Sequence, residues 1–358
     1  MREVQIRKDD IRQARVVEMA PAPLPDGAVR LALELFSLTA NNVTYAAMGA
    51  GKLGYWDFFP APQGWGRLPV WGFAAVTESR APGVQVGDRY YGYYPMGEVL
   101  DVFPAKASPR GFMDSAAQRR AKAAIYNLYL NTALDPAYDA AFEPEQAIFR
   151  PLYGTGWWAA DCVMQGAPQP RSIVMSSASS KTALATAHQL RRLSDARLIA
   201  LTSTQNVGYV RETGLYHETA SYESVGTLRA TAPAVYLDFL GRESLTAAVH
   251  HALGADLVRS ILIGATDWDS KPGGVALPTA ALEGPQPEFF FVPDYATARL
   301  KADATLGAAM TRDLRAFYGA SRSLVTAERL VGFDAVQDAW SRLVAGTVAP
   351  RAALVLSF

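Results

Sequence analysis

A serine-rich segment with one lysine is the first part of the chain that could do chemistry. Residues 176–182 read Ser-Ser-Ala-Ser-Ser-Lys-Thr, after a short apolar run that predicts a strand over Ser172–Ser176. A helix is predicted next, over Lys181–Leu193. Serine hydroxyls, the amides at a helix start and a lysine together favour a phosphate. The predicted phosphate ligands are Ser177, Ser179, Ser180, Lys181 and Thr182.

The same segment has a second interpretation, because it contains no glycine. The turn after the first strand of a nucleotide-binding βαβ unit normally has the pattern G-x-G-x-x-G, in which glycine lets backbone amides approach the pyrophosphate. Residues 176–182 are therefore also compatible with a well-capped strand-to-helix connection in a protein that has lost nucleotide binding.

The end of the second predicted strand, Leu198–Thr202, bears on the choice of dinucleotide. An acidic residue about 20 positions after the glycine motif would bind the free ribose hydroxyl of NAD. The chain has Ser203-Thr204-Gln205-Asn206 instead. Without a carboxylate in this stretch nothing there repels a 2′-phosphate, and Ser203 and Asn206 can hydrogen-bond it, which predicts NADP(H). The alternative is that these residues only cap a helix.

Composition limits the partners and the compartment. The 358 residues predict roughly two domains, and 50% apolar residues are enough to fill their cores. The 34 basic and 34 acidic residues give a formal net charge of zero, which argues against nucleic acid and an anionic membrane surface. The single cysteine, Cys162, argues for a reducing compartment and against a multi-thiolate zinc site. With no long apolar run and no secretory signal, we expect a cytoplasmic protein.

The order of predicted elements indicates an α/β fold with two parts. Up to about Pro104 the chain reads as short strands broken by Gly and Pro, among them Val29–Leu38. Residues Ser115–Leu130 predict a helix. From Arg171 strands alternate with helices, which predicts a doubly wound parallel sheet.

Four stretches in this order resemble the medium-chain dehydrogenase/reductase superfamily. They are Pro69–Pro95, residues 172–190, Leu198–Tyr222 and the terminal stretch 333–358. Shorter segments, NNVTYAAMG, YWDFFPAP, PVWGF, GYYPMG and FFFVP, resemble an uncharacterised branch known only as a domain of unknown function.

The resemblance implies a two-domain architecture. A GroES-like β-rich domain is expected over 1–150, with a helical and aromatic insertion at 108–146. A Rossmann-type NADP-binding domain is expected over 151–310, and a C-terminal segment, 311–358, returns to complete the fold. The superfamily implies a cleft between the domains and NADP(H)-dependent reduction of a carbonyl, quinone or activated alkene. Catalytic zinc is not expected, because the four histidines all follow residue 187. The superfamily also implies a homodimer, with Phe289–Phe291 in a buried or dimer-edge strand.

The resemblance also implies where further site residues lie. Zinc-free members have polar residues facing the nicotinamide just after the strand that precedes Asn41, so the predicted catalytic residues are Asn42, Thr44 and Tyr45. In the alternative, Asn41 and Asn42 cap a helix beginning at Val43 and Tyr45 packs inside. The third strand ends in Tyr222, and Gly264 and Thr266 follow another predicted strand, so these three are added as cofactor ligands.

Clustered aromatic residues predict an apolar substrate pocket. Its predicted lining is Tyr55, Trp56, Phe59 and Trp71, which would suit a small hydrophobic or aromatic substrate. Singly, each of these residues is also typical of an ordinary core. The leading hypothesis is a zinc-independent NADP(H)-dependent reductase of a conjugated or aromatic ketone, enone or quinone. The alternatives are a non-redox lyase or hydrolase that uses the same cleft without a nicotinamide, and a non-catalytic binding protein.

Overall fold

The structure, a computed structural model, describes residues 1–20, 22–50, 54–264 and 282–358. Within the described part of the first 131 residues, apolar and β-branched runs separated by Gly and Pro form ten strands. A single α-helix lies among these described elements, α1 (Ala40–Ala47). The strands are β1 (Arg2–Arg7), β2 (Ala14–Glu18), β3 (Val29–Leu38), β4 (Trp65–Gly66), β5 (Pro69–Ser79), β6 (Arg89–Pro95), β7 (Val99–Val102), β8 (Pro104–Ser108), β9 (Gly111–Asp114) and β10 (Leu128–Asn131).

The helix predicted over Ser115–Leu130 is wrong. The structure has two short 3-10 helices there, Ala117–Arg119 and Ala124–Asn127, and then strand β10, which pairs with β6 and β9. The Arg119 side chain is only 1% exposed and bonds to groups on β9 and β10. Long-range contacts therefore override the helix propensity of these residues.

The next part of the chain alternates helix and strand. Its helices are α2 (Glu143–Gln165), α3 (Lys181–Leu193), α4 (Val207–Glu212), α5 (Glu243–Leu253), α6 (Val292–Ala302) and α7 (Thr305–Leu324). Its strands are β11 (Ser172–Met175), β12 (Arg197–Thr202), β13 (Glu218–Ser221), β14 (Ala234–Asp238), β15 (Leu257–Leu262) and β16 (Glu288–Phe289). No helix within the described ranges is long and apolar enough to span a membrane.

These six strands form one parallel sheet in the order β13-β12-β11-β14-β15-β16. The order reverses between β11 and β14, and in such sheets ligands bind outside the carboxyl ends of the strands at that point. The pairing brings those ends to one edge, because Thr202 pairs with Ser221 and Asp238 pairs with Leu262. The sheet and α5 share a buried core that includes Val174, Ile199, Leu201, Tyr236 and Val249.

The last elements are β17 (Thr326–Val331), α8 (Phe333–Val344) and β18 (Ala352–Ser357). Strand β18 pairs with β17 on one side and with β3 on the other, so it completes the nine-stranded sheet of the β-rich part. The chain accordingly divides into two units: Met1–Ile148 with Thr326–Phe358, and Phe149–Val325. Helix α7, part of which falls in the C-terminal segment expected from residue 311, lies in the second unit.

Candidate functional site

The serine-rich segment forms a turn between β11 and α3 at the carboxyl edge of the parallel sheet. Its first residue, Ser176, is buried and ties two strands together. The Ser176 hydroxyl donates to the Asp238 carboxylate over 2.7 Å and accepts the amide of Phe239 over 2.9 Å. Asp238 also accepts a hydrogen bond from Thr246 over 2.8 Å. These groups shape the edge of the sheet rather than face a ligand.

Ser177 stands where the glycine rule would place a glycine. Its φ of 47° is in the left-handed region, which residues other than glycine rarely adopt. The Ser177 amide donates to the Tyr222 hydroxyl over 3.2 Å. The turn therefore contains a left-handed residue without glycine, and Tyr222 lies directly against it.

The other two predicted serines organise the turn. The Ser180 hydroxyl caps α3 by accepting the Ala183 amide over 3.3 Å, as the alternative interpretation expects. The Ser179 hydroxyl accepts hydrogen bonds from Asn206 over 3.2 Å and from Thr202 over 3.4 Å. Within the described part of the chain, the amides of Ser179 and Thr182 donate no hydrogen bond. The turn thus presents backbone donors at the start of a 13-residue helix.

Lys181 is the first residue of α3 and is the cation of the turn. Its side chain is half-buried, and desolvation by the surrounding protein lowers its pKa to about 8. A phosphate next to the ammonium would favour the charged form and raise that pKa again. Two amides and this lysine form a suitable cradle for a pyrophosphate, so the residues present fit a dinucleotide.

The loop after β12 contains two further predicted cofactor ligands, Ser203 and Asn206. Ser203 precedes a 3-10 helix, Thr204–Asn206, and the Ser203 carbonyl accepts the Asn206 amide over 2.9 Å. Asn206 reaches the phosphate turn through Ser179. The helix α4 follows at once, so the loop also does what the capping interpretation predicts.

Two charged residues near this loop escaped the sequence analysis. Glu223 accepts a hydrogen bond from the Thr204 hydroxyl over 2.8 Å. The Arg242 guanidinium lies 5.8 Å from the centre of the Tyr222 ring. The only sequence signal for Glu223 is its place just after a predicted strand end, and Arg242 had none beyond its position before a predicted helix.

Gly264 lies at the same edge of the sheet. Its amide donates to the Asp238 carbonyl over 3.3 Å, and a Cβ at this position would lie 3.3 Å from the Phe239 carbonyl oxygen. A larger residue there would force the neighbouring backbone to move by a few tenths of an ångström, so glycine eases the close approach of the two strand ends. Thr266, the last predicted cofactor ligand, lies outside the described residues.

In the first unit, the predicted catalytic residues lie on α1. Asn42 is buried, its side-chain oxygen accepts the Thr39 amide over 2.8 Å, and its amide donates to the Pro69 carbonyl over 3.0 Å. The helix begins at Ala40 rather than at Val43, and Thr39 and Asn42 form a reciprocal cap. Thr44 is half-buried and bonds to the Ala40 carbonyl over 3.4 Å. Asn42 therefore ties the start of the helix to β5, whereas Thr44 bonds back within the helix.

Tyr45 has a different environment. Its side chain is 5% exposed, and its hydroxyl oxygen accepts the Trp71 indole N–H over 3.4 Å. Burial raises the pKa of this phenol well above its ordinary value. The Trp71 bond is made to the oxygen, and the Tyr45 O–H donates no hydrogen bond within the described residues.

The predicted pocket residues belong to a buried aromatic cluster in the first unit, here called the tyrosine cluster. It consists of Tyr45, Tyr55, Phe58, Phe59, Trp71, Tyr93 and Tyr126. Ring centres are 4.4 Å apart for Tyr45 and Tyr55, and 4.7 Å apart for Trp71 and Tyr93. The structure thus brings Tyr45 together with Tyr55, Phe59 and Trp71, and adds Tyr93 and Tyr126, which sequence reasoning missed.

Trp56 is placed apart from this cluster. A Cβ at Gly49 would lie 2.1 Å from its indole, and a Cβ at Gly66 would lie 2.2 Å from it. The indole therefore packs against two glycines, which is the contact of a core residue.

Arg119 lies beside the tyrosine cluster and supports it. Its guanidinium is 5.2 Å from the centre of the Phe59 ring. It donates to Asp114 over 3.0 Å, to Asn127 over 3.0 Å and to the Tyr129 hydroxyl over 2.8 Å. This buried network fixes the 115–127 segment, which carries Tyr126, against the sheet.

Possible metal ligands do not cluster in the described ranges. No group of three or more His, Cys, Asp or Glu side chains there could hold a metal ion. His250, for example, is buried and bonds to the Ser260 hydroxyl over 2.9 Å.

Comparison with known proteins agrees with this architecture. The solved structures of similar fold include CurA from Vibrio vulnificus in complex with NADPH, with 12% identity, a TM-score of 0.63 and coverage of 100% of this chain and 99% of that chain. They also include the yhdH oxidoreductase from Salmonella enterica in complex with NADP, with 16% identity, a TM-score of 0.58 and full coverage of both chains. A third is the CurF ER cyclopropanase from the curacin A biosynthetic pathway, with 15% identity, a TM-score of 0.60 and coverage of 99% and 98%.

No curated protein matches the chain. The structural matches confirm the predicted fold class, an α/β fold with a β-rich GroES-like part and a Rossmann-type doubly wound parallel sheet. Residues 36–349 match the family model described as "Protein of unknown function (DUF2855)". The chain therefore belongs to the DUF2855 family.

Proposed function

We propose that the protein is a zinc-independent NADP(H)-dependent oxidoreductase that reduces a conjugated or aromatic ketone, enone or quinone. The observation that carries the proposal is the turn at the start of α3, with its unbonded Ser179 and Thr182 amides and Lys181. Two proteins of the same fold, CurA and the yhdH oxidoreductase, are described as complexes with NADPH and NADP.

The second unit would hold the dinucleotide. In the proposed complex the turn amides and Lys181 bind the pyrophosphate, and Ser203 and Asn206 hydrogen-bond the phosphorylated ribose. Gly264 leaves room for backbone at the same sheet edge. When bound, the nicotinamide supplies a hydride, and the fold's task is to position it.

The tyrosine cluster would supply the substrate side. Tyr45 donates its proton in a hydrogen bond to the substrate carbonyl oxygen and so stabilises the oxyanion or enolate that develops. Trp71 fixes the orientation of that hydroxyl through the bond of its indole N–H to the oxygen. Tyr55 and Trp71 offer aromatic contact surface, which favours a flat, conjugated substrate.

One observation favours the rival function, a lyase or hydrolase without a nicotinamide. The Ser177 amide, which a glycine-rich turn would leave to the pyrophosphate, is bonded to Tyr222 in this chain. We place it second because two further amides of the turn, those of Ser179 and Thr182, donate no hydrogen bond within the described residues.

The assembly and location are also proposals. Strand β16 lies at the edge of the parallel sheet, and its Phe289 is 45% exposed. We propose a homodimer that uses this edge, and a cytoplasmic location because one half-buried cysteine is compatible with a reducing compartment.

The direct test is a fluorescence titration of the purified protein with NADPH. We expect saturable binding, weakened about 10- to 100-fold in Lys181→Ala, because a hydrogen bond to a charged group contributes about 1.5–3 kcal/mol. Lys301→Ala, which removes an exposed lysine in α6, is the matched control and should bind as the wild type does. Absence of wild-type binding at millimolar NADPH would refute the proposal.

Turnover is tested with the same preparations. NADPH oxidation should accelerate when 1,4-naphthoquinone or an aryl enone is added, and chelating agents should leave the rate unchanged. Turnover of the same substrates without any nicotinamide would favour the rival function.

A further inference from the structure

The loop after β12 contains no carboxylate of its own. A carboxylate from the segment after the neighbouring strand, β13, nevertheless lies next to it. Strands β12 and β13 run in parallel with Thr202 paired to Ser221, so the residues after the two strands lie side by side. Glu223 follows β13, and its carboxylate accepts the Thr204 hydroxyl over 2.8 Å. A negative charge from the segment after β13 therefore lies beside the loop that follows β12.

This loop is the place where a Rossmann-type site distinguishes NAD from NADP. An acidic side chain at the end of the second strand accepts a hydrogen bond from the ribose 2′-hydroxyl and repels a 2′-phosphate. In this chain the position is occupied by Ser203 and Thr204, and the carboxylate comes from the neighbouring strand instead. The usual sequence rule misses it, because Glu223 is not near the expected spacing.

The local charges keep Glu223 ionised. The Thr204 hydroxyl bond lowers the pKa of the carboxyl group, and the Arg242 guanidinium contributes in the same direction. Glu223 itself is exposed to solvent, so its charge can act on a ligand that enters the loop. The Arg242 guanidinium, which lies beside the Tyr222 ring, is a positive charge that partly offsets the negative charge of Glu223.

We infer that Glu223 determines how strongly the site selects NADPH over NADH. The inference rests on the proposed function, since it concerns the dinucleotide proposed there. The Glu223 carboxylate repels the 2′-phosphate of NADPH and accepts a hydrogen bond from the 2′-hydroxyl of NADH. It therefore weakens the preference for NADPH that the other residues of the loop create.

The test measures the dissociation constants of NADPH and NADH for the wild type and three variants. Glu223→Gln removes the charge and keeps the shape of the side chain. Glu223→Asp keeps the charge. Glu218→Gln removes a half-buried carboxylate at the other end of β13, where it pairs with Arg197, and is the matched control.

We expect Glu223→Gln to raise the ratio of the NADH to the NADPH dissociation constant about tenfold, which corresponds to 1.4 kcal/mol. Glu223→Asp and Glu218→Gln should each stay within about twofold of the wild-type ratio, because neither removes charge from the loop. An unchanged ratio in Glu223→Gln, with both cofactors bound by the wild type, overturns this inference alone. A wild type that binds neither cofactor overturns the proposed function and this inference together.

Discussion

The turn before α3 and the tyrosine cluster are both rich in hydroxyl groups, but they use them in opposite ways. In the turn, the hydroxyls of Ser179 and Ser180 bond within the site, and backbone amides are left for a ligand. In the cluster, the Tyr45 hydroxyl is oriented by Trp71 and keeps its own proton. One site is thus made of backbone and the other of side chains, so single substitutions should affect them differently.

The largest effect is expected from removing the support of the tyrosine cluster. Arg119→Ala leaves Asp114 without its buried guanidinium partner and should lower the free energy of unfolding by about 3–5 kcal/mol. The neighbouring exposed residue, Arg120, gives a matched control. Arg120→Ala should change the free energy of unfolding by less than about 0.5 kcal/mol. Urea unfolding followed by tyrosine and tryptophan fluorescence measures both. Equal losses in the two variants would mean that the Arg119 network does not hold the cluster.

Tyr45→Phe tests whether the cluster acts through a single hydroxyl. We expect kcat/KM for 1,4-naphthoquinone to fall about a hundredfold, as on loss of an oxyanion donor, with unchanged NADPH affinity. Because burial keeps the pKa of Tyr45 high, the wild-type rate should show no titration of this phenol below about pH 10.

The control for Tyr45 is Tyr94→Phe, which removes a buried hydroxyl that bonds only to the Tyr90 carbonyl in the same sheet. Turnover by Tyr94→Phe should match the wild type. If both variants lose activity equally, the Tyr45 hydroxyl has no special role.

The pH dependence of NADPH binding tests the turn before α3, the first of the two sites compared above. Lys181 has a pKa of about 8 without ligand, and a bound phosphate raises it, so the protonated lysine binds more tightly. The dissociation constant should be constant below about pH 7 and rise above pH 8 by up to about tenfold per pH unit. Titrations between about pH 6.5 and 9.5 measure it.

Lys181→Arg provides the comparison for that profile, because its guanidinium stays charged over the whole range. Its dissociation constant should not vary with pH. A wild-type profile as flat as that of Lys181→Arg would show that Lys181 does not contact the phosphates.

The smallest effect is expected at Ser177. Ser177→Gly relieves a left-handed conformation that costs a residue with a side chain about 1–2 kcal/mol, but it adds about 0.5–1 kcal/mol of chain entropy to folding. The free energy of unfolding should rise by about 0.5–1 kcal/mol, as measured by urea unfolding, and NADPH affinity should not fall. A loss of affinity would show that the serine side chain itself binds the cofactor.

Local patterns were enough to predict individual elements in both units. The bounds of α3 match the sequence prediction, because a cap and an apolar periodicity lie at this segment. The same is true of β3. The serine turn was also located correctly, since it directly follows the first strand of the sheet.

The failures involve residues that meet from distant parts of the chain. Residues 115–130 have helix-forming composition, but the partners of Arg119 lie on β9 and β10. Glu223 reaches Thr204 only through the register of β12 and β13, which composition does not reveal. Tyr93 and Tyr126 join Tyr45 through sheet and loop packing, so the tyrosine cluster was predicted only in part.

The position of β18 has a consequence for biosynthesis. This strand lies between β17 and β3, and the ribosome makes it after all of the second unit. While β18 is still unmade, the apolar edge of β3 has no partner at Leu38, Ser37 and Phe36. The nascent chain can therefore complete the parallel sheet first, and the β-rich unit closes only after β18 has been made.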